Sequence, residues 1–161
     1  MNRVQWKLSA FDALSVHELY ELLQLRSEVF VLEQSCFFQD IDGVDAVAMH
    51  LMGRREDHLV AYARCLPPGT KFVEASIGRV VTRQSVRGNG LGHVLIEQAL
   101  IAVGRTWGLQ PIRIGAQAQL RDFYIDHGFA DTGIGYVEDG IDHLQMIWHP
   151  ETVTQELSND Y

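Results

Sequence analysis

Polar and apolar positions alternate from Val4 to Leu8, the two-residue period of a strand with one buried face. The period then lengthens: Leu19, Leu22, Leu23, Arg26 and Phe30 recur at helical spacing, predicting an amphipathic helix from Ser15 to about Leu32. Its start is written locally. Ser15 and Glu18 have the spacing of a capping box, and Leu14 and Leu19 that of a hydrophobic staple. An irregular acidic stretch, Cys36 to Val44, follows. Three strand patterns come next, Ala46 to Met52, Leu59 to Leu66 and Ala75 to Thr82. Arg54 to Asp57 would turn the first pair, and Pro67-Pro68-Gly69 the second. Val94, Leu95, Leu100 and Val103 share a helical face over Leu91 to Trp107, which Gly108 ends. Ile112 to Ala116 reads as a short buried strand and Gln119 to His127 as a helix closed by Gly128. Tyr136 to Glu138 and His143 to Trp148 flank Asp139-Gly140, a hairpin signal. The order predicts one mixed α/β domain over residues 1–150, with 151–161 as a tail.

The most informative segment is Ile77 to Gly92, where a strand and a polar turn lead into Arg87-Gly88-Asn89-Gly90-Leu91-Gly92 at a helix start. Glycines let backbone N–H groups converge on a ligand at the positive end of a helix, a cradle for a diphosphate, and Arg87 adds a charged donor. A tight strand-to-helix turn is the plainer alternative, though alternating glycines beside an arginine exceed what a turn requires. Two other phosphate loops fail. The dinucleotide pattern needs a third glycine where His93 stands, and the triphosphate loop needs Gly-Lys-Ser/Thr.

Composition narrows the setting. The chain has 161 residues, 47% of them hydrophobic, enough for one packed core. No apolar run approaches the roughly 20 residues that span a bilayer, and Met1 to Ala10 lacks the continuous apolar segment of a signal peptide. Cys36 and Cys65 offer neither a disulfide framework nor zinc spacing, so a cytoplasmic location is expected. A formal net charge of -8 disfavours nucleic acid and favours a cationic substrate. An anionic ligand would need a local donor-rich site. Scattered histidines argue against metal. Asp40-x-Asp42-Gly43-x-Asp45 fails as a calcium loop, because Asp45 stands where glycine is required. Cys65 reads as a core residue, and Trp6, Trp107 and Trp148 as packing.

Arg87 to Gly92 resembles the R/Q-x-x-G-x-G/A signature of the GNAT N-acetyltransferase superfamily, and Tyr124-Ile125-Asp126-His127-Gly128-Phe129 resembles its Tyr-x-x-x-Gly-Phe segment. The ElaA-type branch is the nearer resemblance. It rests on Arg26 to Gln34, Asp42-Gly43-x-Asp45, Gly78 to Val81, Ala116-Gln117-Ala118 and Glu138 to His143, in order across Trp6 to His149. The resemblance implies an acyl-CoA N-acyltransferase fold, a central, mostly antiparallel mixed sheet flanked by helices. It implies acetyl-CoA as cosubstrate and an amine of a small molecule or peptide as acceptor. It further implies that the backbone of Val80, Val81 and Thr82 holds the pantetheine arm where the strand splays from its neighbour, and that Arg87, Gly88, Asn89, Gly90, Leu91 and Gly92 take the diphosphate.

Tyr124 is then the expected general acid. A phenol titrates near ~10, so it is still protonated at neutral pH and has a proton to give where the thiolate departs; the alternative is a core tyrosine beside Phe123. Glu138 and His143 are put forward for the base, with Glu33, Glu74 and His50 also open and a water relay as a further route. Arg26 and Glu33 share a helix face and either line the acceptor pocket or pair structurally. An exposed edge strand would permit a homodimer. A coenzyme A sensor that has lost transfer, and a dinucleotide-dependent dehydrogenase, are the rival functions.

Overall fold

The computed structural model describes residues 3–150, so the expected tail, 151–161, lies outside the described residues. Strand β1 (Gln5–Ala10) leads through a short 3-10 turn to helix α1 (Val16–Arg26). Both halves of the capping box form: the Ser15 hydroxyl accepts from the Glu18 amide at 3.0 Å, and the Glu18 carboxylate accepts from the Ser15 amide at 2.9 Å. Leu14 and Leu19 pack together on the smaller apolar cluster around Leu22, Leu25 and Tyr62. The regular helix is shorter than the sequence predicts. From Ser27 to Glu33 it loosens into π-helical turns, which swing Glu33 off the face it would share with Arg26 in a straight α-helix.

Strands β2 (Met49–Arg55), β3 (His58–Leu66) and β4 (Ser76–Thr82) complete an antiparallel meander, ordered β1-β2-β3-β4. Strand β2 begins and ends three residues later than expected. Asp45–Val47 is taken up by a 3-10 turn, and the hairpin closes in only two residues, Glu56 and Asp57, both left-handed. Helix α2 (Leu91–Trp107) ends at Gly108, which has φ 88°. Its buried face, including Leu95, Ile96, Ala99 and Val103, fills the main core with residues of both halves of the fold.

After α2 come β5 (Ile112–Gln117), α3 (Arg121–Ile125), β6 (Phe129–Glu138) and β7 (Ile141–Trp148). Helix α3 is shorter than predicted because Ala118–Leu120 forms a 3-10 turn. Strand β6 starts far earlier than Tyr136, its glycines at 133 and 135 having hidden the strand pattern. These strands make a second antiparallel sheet, β5-β7-β6. Among the described residues, the two sheets join by one parallel bridge, Ala75 to Ile112, where the Arg113 amide donates to the Ala75 carbonyl at 2.9 Å. Beyond it β4 and β5 part. That wedge positions everything that follows.

Candidate active site

Strand β4 carries an irregularity in its pairing with β3. Tyr62 pairs with Val81 and Arg64 with Gly78, so two steps along β3 face three along β4. The surplus residue makes a bulge at Arg79 and Val80, with Arg79 in the left-handed region at φ 48°. A bulge frees main-chain groups from the ladder and turns them outward. Val80 therefore stands on the wedge, while Val81 is buried and Thr82 pairs with Ala61.

At the far end of β4 lies the glycine turn. Gly88 and Gly90 have φ of 99° and 81°, and a β-carbon at either would meet nothing within 4 Å. Gly90 is the N-cap of α2 and supplies no capping side chain. Among the described residues, the amides of Leu91 and Gly92 thus have no capping partner, whereas that of His93 donates to the Gly90 carbonyl at 3.1 Å. Leu91 is buried in the core, anchoring the turn from beneath, and a β-carbon on Gly92 would stand 3.6 Å from the Phe123 ring. Arg87 is placed differently from expectation. Its guanidinium forms a fork with Glu33, at 2.8 and 2.9 Å, and donates to the Thr82 carbonyl at 2.8 Å. Across the turn, His93 Nδ1 of α2 and His127 Nε2 beyond α3 are 2.8 Å apart, a pair the sequence gave no reason to join.

A cleft of about 500 Å³ opens on the wedge, lined by Phe30, Arg79, Val80, Tyr124, Glu138 and His143 among others. Tyr124 is buried, set edge-on against Phe123 and Phe129, with ring centroids at 5.1 and 5.6 Å. Burial pushes its phenol well above the usual range, so it stays protonated at neutral pH. His143 Nδ1 donates to the Ile141 carbonyl at 2.7 Å. A carbonyl can only accept, so the neutral ring carries its proton on Nδ1 and leaves Nε2 as a base. That Nε2 is 3.7 Å from Glu138 Oε2.

The structure separates the other candidate bases from this cleft. Glu33 is held by Arg87, and Glu74 by Arg113 at 3.0 Å. His50 is fully buried, its Nε2 donating to the Asp45 carbonyl at 2.9 Å and its Nδ1 2.7 Å from the Tyr62 hydroxyl. Desolvation pushes its pKa down, keeping it neutral. Cys65 is buried as expected, and desolvation pushes its thiol up to about 12.

Arg26 is the clearest correction. It lines no pocket: it is 0% exposed and donates to Asp40 at 2.9 Å and Asp45 at 2.7 Å. Arg64 binds Asp42 at 2.7 Å and Asp45 at 3.0 Å, and Arg79 binds Asp40 at 2.8 Å. The acids that resemble a calcium loop are thus counter-ions to three arginines. Burial would raise the Asp42 pKa, but Arg64, the Val44 amide and Arg79 outweigh it and hold the carboxyl far below the carboxylate range. Sequence reasoning missed this network because its partners lie 14 to 39 residues apart.

Known proteins share this fold. An acetyltransferase (GNAT) domain model matches residues 22–150. Protein ElaA of Escherichia coli is 41% identical over 145 residues, 89% of this chain and 95% of that protein. Its crystal structure superposes with a TM-score of 0.85, covering 91% of this chain and all of ElaA. An acyl-CoA N-acyltransferase from Pseudomonas aeruginosa gives a TM-score of 0.86 at 43% identity, covering 91% of this chain and 99% of its own. No helix among the described residues is long and apolar enough to cross a membrane.

Proposed function

Because the chain belongs to the GNAT acetyltransferase family, within its ElaA-type branch, we propose that it moves an acetyl group from acetyl-CoA directly to a primary amine. Acetyl-CoA supplies the activated acetyl thioester. The observation that carries the reading is the parted edge of β4 beyond Ala75, which runs from an uncapped helix start to a cleft holding a buried tyrosine.

Each residue has a role that its surroundings support. The amides from Gly88 to Gly92 receive the diphosphate, where open space above Gly88 and Gly90 lets it approach and the α2 dipole favours its charge. Arg87 joins them by exchanging Glu33 for phosphate oxygens. Backbone N–H groups at Val80, Val81 and Thr82 hydrogen-bond the pantetheine arm and polarise the thioester carbonyl, with the bulge aiming the first of them into the wedge. Burial keeps Tyr124 protonated, and the same desolvation makes the departing thiolate a stronger base that takes its proton. His143 Nε2, directly or through a water, takes the proton of the attacking amine, and Glu138 beside it stabilises the imidazolium that results.

The test is release of free coenzyme A thiol from acetyl-CoA in the presence of a panel of primary amines. Acceptor-dependent release is expected, and His143→Ala should lower kcat by about a hundredfold, the lower end of the usual contribution of a general base. Acetyl-CoA binding with no release for any amine would support the sensor instead.

A further inference from the structure

Beside Gly115, where β5 passes under the connection between β3 and β4, two polar groups meet without partners, Lys71 on the cleft lining and the Tyr136 hydroxyl buried next to it. Lys71 belongs to that connection and lines the cleft. Its ammonium leans over the Phe72 ring, 5.5 Å from the centroid, and lies 3.4 Å from where a β-carbon would stand on Gly115. Tyr136 reaches the same point from β6, across β7, with its ring stacked on His143 at 5.3 Å. Gly115 makes room for it, since a β-carbon there would overlap the Tyr136 hydroxyl. That hydroxyl is buried and has no hydrogen-bond partner. Lys71 forms no ion pair and no side-chain hydrogen bond among the described residues.

Among the described residues the Tyr136 hydroxyl is one of six buried side-chain polar atoms without a hydrogen-bond partner, and what sets it apart is that it meets a cation at Gly115. A buried hydroxyl without a partner is costly, and such exceptions call for a reason. The other cations on the cleft wall are already neutralised, Arg64 by Asp42 and Asp45, and Arg79 by Asp40 and Asp42. Lys71 is left over. Although the residue is exposed overall, desolvation at its ammonium end pushes its pKa down; Glu138 opposes this, while Arg79 and Arg64 add to it. An ammonium short of counter-charge beside an unbonded hydroxyl presents two donors to one anion.

We propose that Lys71 and Tyr136 form a carboxylate subsite above Gly115, so that the acceptor is an amino acid-like molecule carrying a carboxylate as well as its amine. This deepens the transfer reading and rests on it. The flexible stem of Lys71 lets its ammonium swing to the ligand, which uncovers the Tyr136 hydroxyl for the second carboxylate oxygen. Two donors suit the two oxygens of a carboxylate, and a phosphate would leave more acceptors unmet. The amine end then faces Glu138 and His143 on the same cleft. The acceptor is a zwitterion: its carboxylate answers Lys71 and its ammonium answers Glu138 on the same cleft.

The experiment compares glycine, β-alanine and γ-aminobutyrate, and a panel of L-amino acids, each with its carboxamide, by thiol release from acetyl-CoA. In the wild type at least one acid should exceed its amide by about tenfold in kcat/KM, the worth of one half-desolvated charge pair. Lys71→Met should erase that preference chiefly by raising KM for the acid, Lys71→Glu should invert it, and Tyr136→Phe should take away a smaller part. Equal acid and amide across every pair, or a preference that survives Lys71→Met, overturns the subsite while leaving transfer intact. If no amine releases thiol although acetyl-CoA binds, the transfer reading fails. The subsite is then decided by equilibrium binding of the same pairs to the protein loaded with coenzyme A. Acid preferred over amide in the wild type and not in Lys71→Met sustains it; no difference overturns it.

Discussion

The two walls of the cleft treat charge in opposite ways. On one, Arg64, Arg79 and Asp42 interlock with Arg26, Asp40 and Asp45 buried behind them, every charge answered by another within 3.4 Å. On the other, among the described residues, Lys71 has no counter-ion in contact, the buried Tyr136 hydroxyl beside it is unbonded, and Glu138 reaches only His143, at 3.7 Å. The first wall has its counter-charges built in and is a structural support. The second is incomplete in a way that a ligand can complete. Charged residues alone did not distinguish the two; the distinction lies in which of them already have partners.

The comparison can be broken hardest on the closed wall. Arg26→Ala leaves buried carboxylates short of a counter-charge, and a loss of about 3–5 kcal/mol is expected, read from urea unfolding. The same wall should be sensitive to acid. Asp42 and Asp45 have native pKa values below their unfolded ones, Arg64 and Arg26 overcoming the effect of burial. Their stabilisation is therefore complete above the unfolded value of roughly 4 and decays as pH falls toward the native ones. Urea midpoints measured from pH 6 down to pH 3 should fall, and fall less steeply in Arg26→Ala. A flat profile would mean that the network adds nothing to stability.

On the open wall and the wedge the expected losses are in chemistry. Tyr124→Phe should lower kcat by about a hundredfold while the acetyl-CoA dissociation constant stays within about twofold, because only the hydroxyl is removed from a packed ring. Unchanged turnover would return Tyr124 to the core. The smallest effect is expected at Glu33. Glu33→Gln weakens the hold on Arg87 and should tighten coenzyme A binding by up to about fivefold, as befits an exposed ion pair. Weaker binding would show that Glu33 aligns Arg87 for the ligand instead of competing with it.

Much of this was legible in the sequence where the determinants are local. Ser15 and Glu18 fix the start of α1 within one turn, and Gly88 to Gly92 announce an open helix start, because capping and left-handed backbone depend on near neighbours. Arg26 was not legible in this way. A charged residue beside Leu22 and Leu25 on one helix face gives no sign that acids from a distant loop will bury it. The end of α1 was missed for a related reason, since π-helical turns keep an apolar pattern that still looks α-helical. Lys71 and Tyr136 left no signal at all. One sits in a turn and the other between glycines, and they converge only because β7 lies between β5 and β6.

The single bridge from Ala75 to Ile112 makes that point a fulcrum. Both residues are essentially buried, at 0% and 1% exposure, with no slack around them. A bulkier side chain at Ala75 would force the two sheets to pivot, and the aperture would change along its whole length. On the proposed function, a substitution that touches neither substrate would then weaken the hold on the pantetheine arm.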